Sequence, residues 1–185
     1  MSLDNKEEHD QPCTEVPALE DKSYEQGEWR RLPQIVHDQE NIKGFFGEYR
    51  WLSNFGKATV MLDGVQYESV ECAYQAAKWP TEKRDFFSHC TNRESIAFNR
   101  ANQPDGYPIE EWDAIKADVM AGLLVQKFDP ELNPQNYEKL LATGDKYIEE
   151  TNWWNDTFWG KNLQGEGKNT LGRLLMEIRS RLSSL

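Results

Sequence analysis

The chain has 185 residues, with 32 Asp and Glu against 21 Lys and Arg and a formal net charge of −11. That balance excludes a protein that holds duplex DNA mainly by neutralising phosphates, which takes a basic footprint, and the length suits one domain better than two. Twenty-two aromatic residues (7 Trp, 7 Tyr, 8 Phe) within a hydrophobic fraction of 38% exclude a wholly disordered chain, although the mean hydropathy of −0.83 is polar.

Residues 1–40 hold eleven acids and four bases, so −7 of the charge lies there. Up to about Ser23 aromatics are few and no periodicity is sustained, so burial cannot offset the ordering entropy and an acidic, mobile tail is expected. From Trp29 through Leu32, Ile35 and Val36 apolar residues return, which predicts an arm lying on the body. The segment has neither the basic start nor the apolar run of a secretory signal. No stretch approaches a membrane span. Cys13, Cys72 and Cys90 form no CxxC pair and are odd in number, so an intracellular, reducing compartment is expected and neither a disulfide framework nor a metal site.

The body is expected over 41–185. Thr59–Leu62 and Val65–Tyr67 flank Asp63-Gly64, a pattern that predicts a β-hairpin. Ser69 then stands as N-cap to a helix from Val70 to about Trp79, stopped by Pro80. Trp112, Ile115, Val119 and Leu123 repeat at helical spacing after Pro108. A shorter helix from Asn136 to about Ala142 should end at Thr143-Gly144. The stripe Leu171, Leu174, Leu175, Ile178 and Leu182 marks a last helix whose apolar face is core. Thr151–Lys168, rich in Trp, Asn and Gly, reads as a long loop of the kind that carries function. The expected fold class is α+β, a mainly helical single domain with a small antiparallel β element.

Three places hold polar groups suited to chemistry. On the helix after the hairpin, Glu71, Gln75 and Lys78 fall at i, i+4 and i+7 with Tyr74 bordering them; they form either a solvated face or the wall of a cleft. Upstream, Phe45-Phe46-Gly47-Glu48-Tyr49 and Trp51-Leu52-Ser53-Asn54-Phe55 set one carboxylate among rings. Glu48 is there either a general acid or base tuned by apolar neighbours or a tip that reaches water. Downstream, Trp153 to Gly160 surrounds Asp156 with rings that either stack on a base or sugar or simply pin the loop. Gly165 to Asn169 leads into the last helix, where free N–H groups suit an anion. No His cluster, GxSxG elbow or GxGxxG turn is present, so triad, metal and dinucleotide chemistry find no support.

The segments FFGEYRWLSNF (45–55), YESVECAYQAAK (67–78), KF (127–128), LLATGD (140–145), DTFWG (156–160) and GKNTLGRLLMEIR (167–179), in this order, resemble the NADAR, or YbiA-like, family. The resemblance implies an N-glycosidase that cleaves a ribose C1–N bond without a cofactor or metal. Two substrate types follow from it: ADP-ribose on guanine, in nucleic acid or nucleotide, and phosphoribosyl-amine intermediates of riboflavin biosynthesis. The first is preferred here, and a non-catalytic ADP-ribose reader is the rival; neither a membrane nor tight nonspecific duplex DNA is an expected partner. Carried onto matching positions, Glu48, Lys78 and Asp156 are the catalytic candidates, with Glu48 as acid/base and Lys78 either a nucleophile forming an imine or a charge that orients the substrate. Tyr49, Ser53, Asn54, Glu71, Gln75, Trp112, Trp159, Gly160 and Asn169 are the substrate-binding candidates.

Overall fold

A computed structural model describes residues 27–102 and 109–184. The expected tail up to Ser23, Cys13 and Pro108 lie outside the described residues. Within them, helices cover small sheets in an α+β arrangement.

The arm enters through a 3-10 turn, Glu28–Arg31, and becomes strand β1, Val36–His37. It pairs antiparallel with β2, Asn41–Lys43. Asp38 makes the turn between them, its Oδ1 accepting from the amides of Glu40 and Asn41 at 2.8 and 2.7 Å. The expected boundary at residue 40 therefore falls inside a hairpin. β5, Tyr147–Glu149, pairs in parallel with β2 on its other side, an association about a hundred residues apart that no local pattern foretells.

The Asp63-Gly64 hairpin is present: β3, Lys57–Leu62, pairs with β4, Val65–Ser69. Both turn residues take positive φ, 47° and 82°, as a two-residue turn with the twist of its strands requires. β4 runs directly into α1, Val70–Ala76, and the Ser69 hydroxyl accepts from the Cys72 amide at 3.1 Å. The helix ends three residues short of Trp79; Ala77 to Trp79 form a tighter turn, with the Trp79 amide donating to the Ala76 carbonyl at 2.9 Å, before Pro80 removes a donor.

Two helices were not expected, α2, Thr81–Ser88, and α3, Asn92–Asn102. Their apolar residues are sparse, and what they bury is aromatic: Trp79, Phe86, Phe87 and Phe98 cluster with centroids 4.6–6.0 Å apart. Thr91 and Glu94 form a reciprocal capping box before α3, the one local signal of it. The longer helices follow as expected: α4, Ile109–Lys127; α5, Pro134–Ala142, ended by Gly144 at φ 56°; and α6, Thr170–Leu182. Leu171, Leu175 and Ile178 are buried, and residues 151–168 carry neither helix nor strand.

At the end of α4, Lys127 is completely buried. It donates to the Leu52 and Ser53 carbonyls at 3.3 and 2.7 Å, closing the aromatic 3-10 turn Gly47–Leu52 onto the core. Burial, with Arg50 nearby, pulls its amine down to about 7. Among the described residues no helix is long and apolar enough to cross a membrane, and Cys72 is a buried free thiol.

Replacing Ser69 by Ala would free the Cys72 amide and the Asn92 carboxamide that Ser69 also meets at 2.5 Å. Loss of the cap should cost about 0.5–2 kcal/mol. Thermal unfolding should register this as a fall of roughly 2–6 °C; an unchanged melting temperature would show that α1 does not depend on its cap.

Candidate active site

One large cleft, about 1390 Å³, lies between the aromatic 3-10 turn, α1, α3, α4 and the 151–168 loop. It exceeds the roughly 300–1,000 Å³ usual for small-molecule sites. α1 supplies one wall. All seven of its residues are buried, so Glu71 and Gln75 have no solvent face and must be satisfied within the cleft. They are linked in a chain: the Gln75 Nε2 donates to Glu71 Oε1 at 2.7 Å, and Lys78 Nζ donates to Gln75 Oε1 at 2.9 Å. The i, i+4, i+7 spacing is thereby a bridge, with Gln75 joining two ionisable ends too far apart to pair directly.

Both ends are pushed toward neutrality. Burial raises the Glu71 carboxyl, against the opposing pull of its Gln75 hydrogen bond, Lys78 and Arg100. Burial lowers the Lys78 amine, opposed by Glu71 and reinforced by Arg100 and Lys116. Lys78 also stands 5.2 and 5.6 Å from the centroids of Tyr74 and Trp112. Trp159 meets Tyr74 edge to face at 5.7 Å and completes this apolar corner.

The structure brings Lys78, Asp156, Ser53, Asn54, Glu71, Gln75, Trp112 and Trp159 together in the cleft. Asp156 holds the loop as well as lining it: its Oδ1 accepts from the amides of Phe158 and Trp159 at 3.0 and 2.9 Å. Four expected residues lie elsewhere. Glu48 is exposed and outside the cleft lining. In a turn with three residues per revolution Gly47 and Arg50 share a face, and it is these that line the cleft. Tyr49 sets its ring against His37, 4.6 Å away.

Gly160 and Asn169 stand behind the wall and hold Glu150, a residue the sequence did not single out. A Cβ on Gly160 would strike the Glu150 carbonyl. Asn169, at φ 50°, accepts from the Glu150 amide through Oδ1 at 3.0 Å, and the Lys161 amide donates to the Glu150 carbonyl at 2.9 Å. Because side chains alternate at the end of β5, Glu149 pairs with Lys161 at 3.1 Å while Glu150 lines the cleft. Among the described residues the Glu150 Oε2 is buried without a hydrogen-bond partner, as is Asn54 Oδ1 on the same cleft. Burial, with the Asp156 and Glu71 carboxylates adding and Arg50 opposing, pushes Glu150 up to about 8.

The rim is basic and aromatic. Arg30, Arg50, Arg93, Arg100 and Lys116 line it with Lys78, against Glu71, Glu150 and Asp156. Trp29 from the arm stacks on Phe46 at 5.8 Å, and Phe46 on Trp153 at 4.9 Å, so the arm forms part of the cleft. Beyond it, Trp154 is 53% exposed. No group of His, Cys, Asp and Glu able to hold a metal occurs among the described residues.

Comparison with known proteins agrees with this architecture. The NADAR domain model matches residues 37–183. N-glycosidase YbiA of Escherichia coli is 32% identical over 158 residues, covering 83% of this chain and 96% of that protein. A riboflavin biosynthesis protein of Vibrio vulnificus, VVA0006, is 30% identical over 132 residues, 71% of this chain and 35% of its own length. The NMR structure of E. coli YbiA superposes with a TM-score of 0.64 at 29% identity, covering 82% of this chain and 90% of that one.

The Gly160 contact makes a direct prediction. Gly160→Ala should displace the Glu150 carbonyl and destabilise the fold by about 1–3 kcal/mol, measured by denaturant unfolding. A variant as stable as the parent would show that the loop and β5 can separate at no cost.

Proposed function

This chain belongs to the NADAR domain family, and from that premise we propose that it is an N-glycosidase that hydrolyses the bond between a ribose C1 and a nitrogen. The observation that carries the proposal is the Glu71–Gln75–Lys78 chain in a cleft with buried carboxyls and a cationic rim. Cleavage at an anomeric carbon builds positive charge on the sugar and requires a proton for the leaving nitrogen. Carboxyls inside the cleft suit both needs, and the exposed Glu48 does not. Asp156, which lines the same cleft, is in this reading the carboxylate that meets the developing charge.

Lys78 is the nucleophile in this reading. An amine shifted toward its neutral form attacks C1, and the opened sugar is held as an imine until water releases it. Tyr74, Trp112 and Trp159 keep bulk water from that corner, while Gln75 orients the amine by accepting a hydrogen bond from it.

The substrate proposed is ADP-ribose attached to guanine, in a nucleotide or nucleic acid. A cleft of about 1390 Å³ with five cationic side chains around Lys78 suits a long, doubly phosphorylated ligand with a base at each end. The Vibrio relative, a riboflavin biosynthesis protein by name, supports a second reading, a phosphoribosyl-amine of the riboflavin route.

Release of free sugar from guanine-ADP-ribosylated DNA or RNA, compared with release from a ribosylamine of the riboflavin route, separates the two. The first should be favoured by about tenfold or more in kcat/KM, a margin that contacts to a second base and phosphate readily supply. The reverse order would assign the small substrate, and binding without release would make the protein a reader. Borohydride added during turnover should leave the sugar on the peptide containing Lys78; failure to trap it there would remove the imine.

A further inference from the structure

The cleft carries three carboxyls, and their surroundings differ. Asp156 commits Oδ1 to two backbone amides, and Glu71 accepts from Gln75. The Glu150 Oε2 is shut off from solvent and has no hydrogen-bond partner among the described residues. An ionised carboxylate left buried and unpaired is costly, and the usual outcome is retention of the proton. The groups that act on it are the Glu71 carboxyl from α1, Asp156 from the loop and Arg50 from the 3-10 turn. Two of the three favour the neutral acid.

The backbone beneath Glu150 is fixed with unusual care. Its amide is held by Asn169, its carbonyl by the Lys161 amide, and Gly160 packs where any side chain would strike that carbonyl. Holding a residue on both sides of its Cα while leaving its Oε2 without a partner among the described residues on a cleft wall suits a group meant to meet a ligand.

We propose that Glu150 is the general acid of C1–N cleavage, giving its proton to the leaving nitrogen. The assignment rests on the N-glycosidase reading and deepens it. In the cleavage half the Glu150 O–H proton passes to the nitrogen, which departs with the C1–N electron pair, while C1 takes its new bond from the Lys78 amine. The extra proton on Nζ then returns to the Glu150 carboxylate, which restores the acid and leaves the sugar on Lys78 for water to release. A carboxyl poised at about 8 is protonated at neutral pH and still able to give the proton up. The second orphan acceptor, Asn54 Oδ1, is available on the same cleft for a donor of the ligand.

The test is Glu150→Gln in the full chain, with its melting curve taken first and Glu150→Asp as a second variant should the amide not fold. On an N-ribosyl guanine substrate kcat should fall by about 100-fold or more with KM little changed. The alkaline fall of the wild-type kcat above pH 8, where the acid form is lost, should vanish. On an ADP-ribosyl pyridinium, whose nitrogen leaves neutral without gaining a proton, the same variant should keep within about threefold of the wild-type rate. Equal losses on both substrates, or an unchanged pH profile, would overturn the assignment. In the ligand-free protein the Glu150 carboxyl carbon, identified by NMR from its absence in the variant, should titrate near 8, and a midpoint in the ordinary carboxylate range would also overturn it. Should wild-type protein release no sugar from any C1–N substrate, the N-glycosidase reading falls, and the titration still reports separately on the state of Glu150.

Discussion

The structure depends on a seven-residue helix that has no face left for water. α1 is enclosed by the hairpin that precedes it and by α2, α3 and α4, and small residues at Cys72, Ala73, Ala76 and Ala77 allow the close approach. Burial of all seven residues, with the cleft along one side, leaves its polar residues two options, a partner or a ligand. Glu71 and Gln75 take the first along the helix, and the chain they start ends at Lys78, beyond the last helical hydrogen bond. The chemistry of the cleft follows from the same packing, since burial moves both ends of that chain toward their neutral forms.

Opposite α1 the wall is built by a loop, and loops gain precision only when something rigid holds them. Here a strand does. The Gly160 approach to Glu150 and the hydrogen bonds of Asn169 fasten residues 151–168 to the end of β5, and β5 is in turn paired with β2. Asp156 then caps the turn that carries Trp159 into the cleft. Lys127 plays the equivalent part on the other side, where its buried amine donates to the Leu52 and Ser53 carbonyls at the end of the aromatic turn. These groups act at one remove from any ligand, and their loss would be felt as misplacement of the residues they hold.

Charge is distributed unevenly in the molecule. An acidic chain of net −11 nonetheless concentrates cations at the cleft mouth. Most of the net charge, −7 of −11, lies in the first forty residues, so long-range attraction of polyanions is weak while a local anion is well served. Such an arrangement favours recognition of one phosphorylated group over general adhesion to nucleic acid. The arm contributes to it directly, because Trp29 and Arg30 reach the cleft although the family match begins only at residue 37.

What the sequence determined by itself was local. The Asp63-Gly64 turn, the Ser69 cap, the stripe of α6 and the stop at Gly144 each depend on residues within one turn or one pleat, and each is found where its pattern stands. The motif order was enough to point to the family, and the spacing of Glu71, Gln75 and Lys78 placed them on one face. Tertiary structure decided the rest. Parallel pairing of β2 with β5 joins segments separated by about a hundred residues, and α2 and α3 owe their stability to an aromatic cluster rather than to an amphipathic stripe. Glu48 looked like the carboxylate held among rings, yet its turn presents Gly47 and Arg50 to the cleft and leaves Glu48 in water. Glu150 had no distinguishing neighbour in the chain, and its Oε2 became buried without a partner among the described residues only because Gly160, Asn169 and Asp156 fold back around it. Proton affinity is a property of an environment, and that environment is assembled from residues remote in sequence.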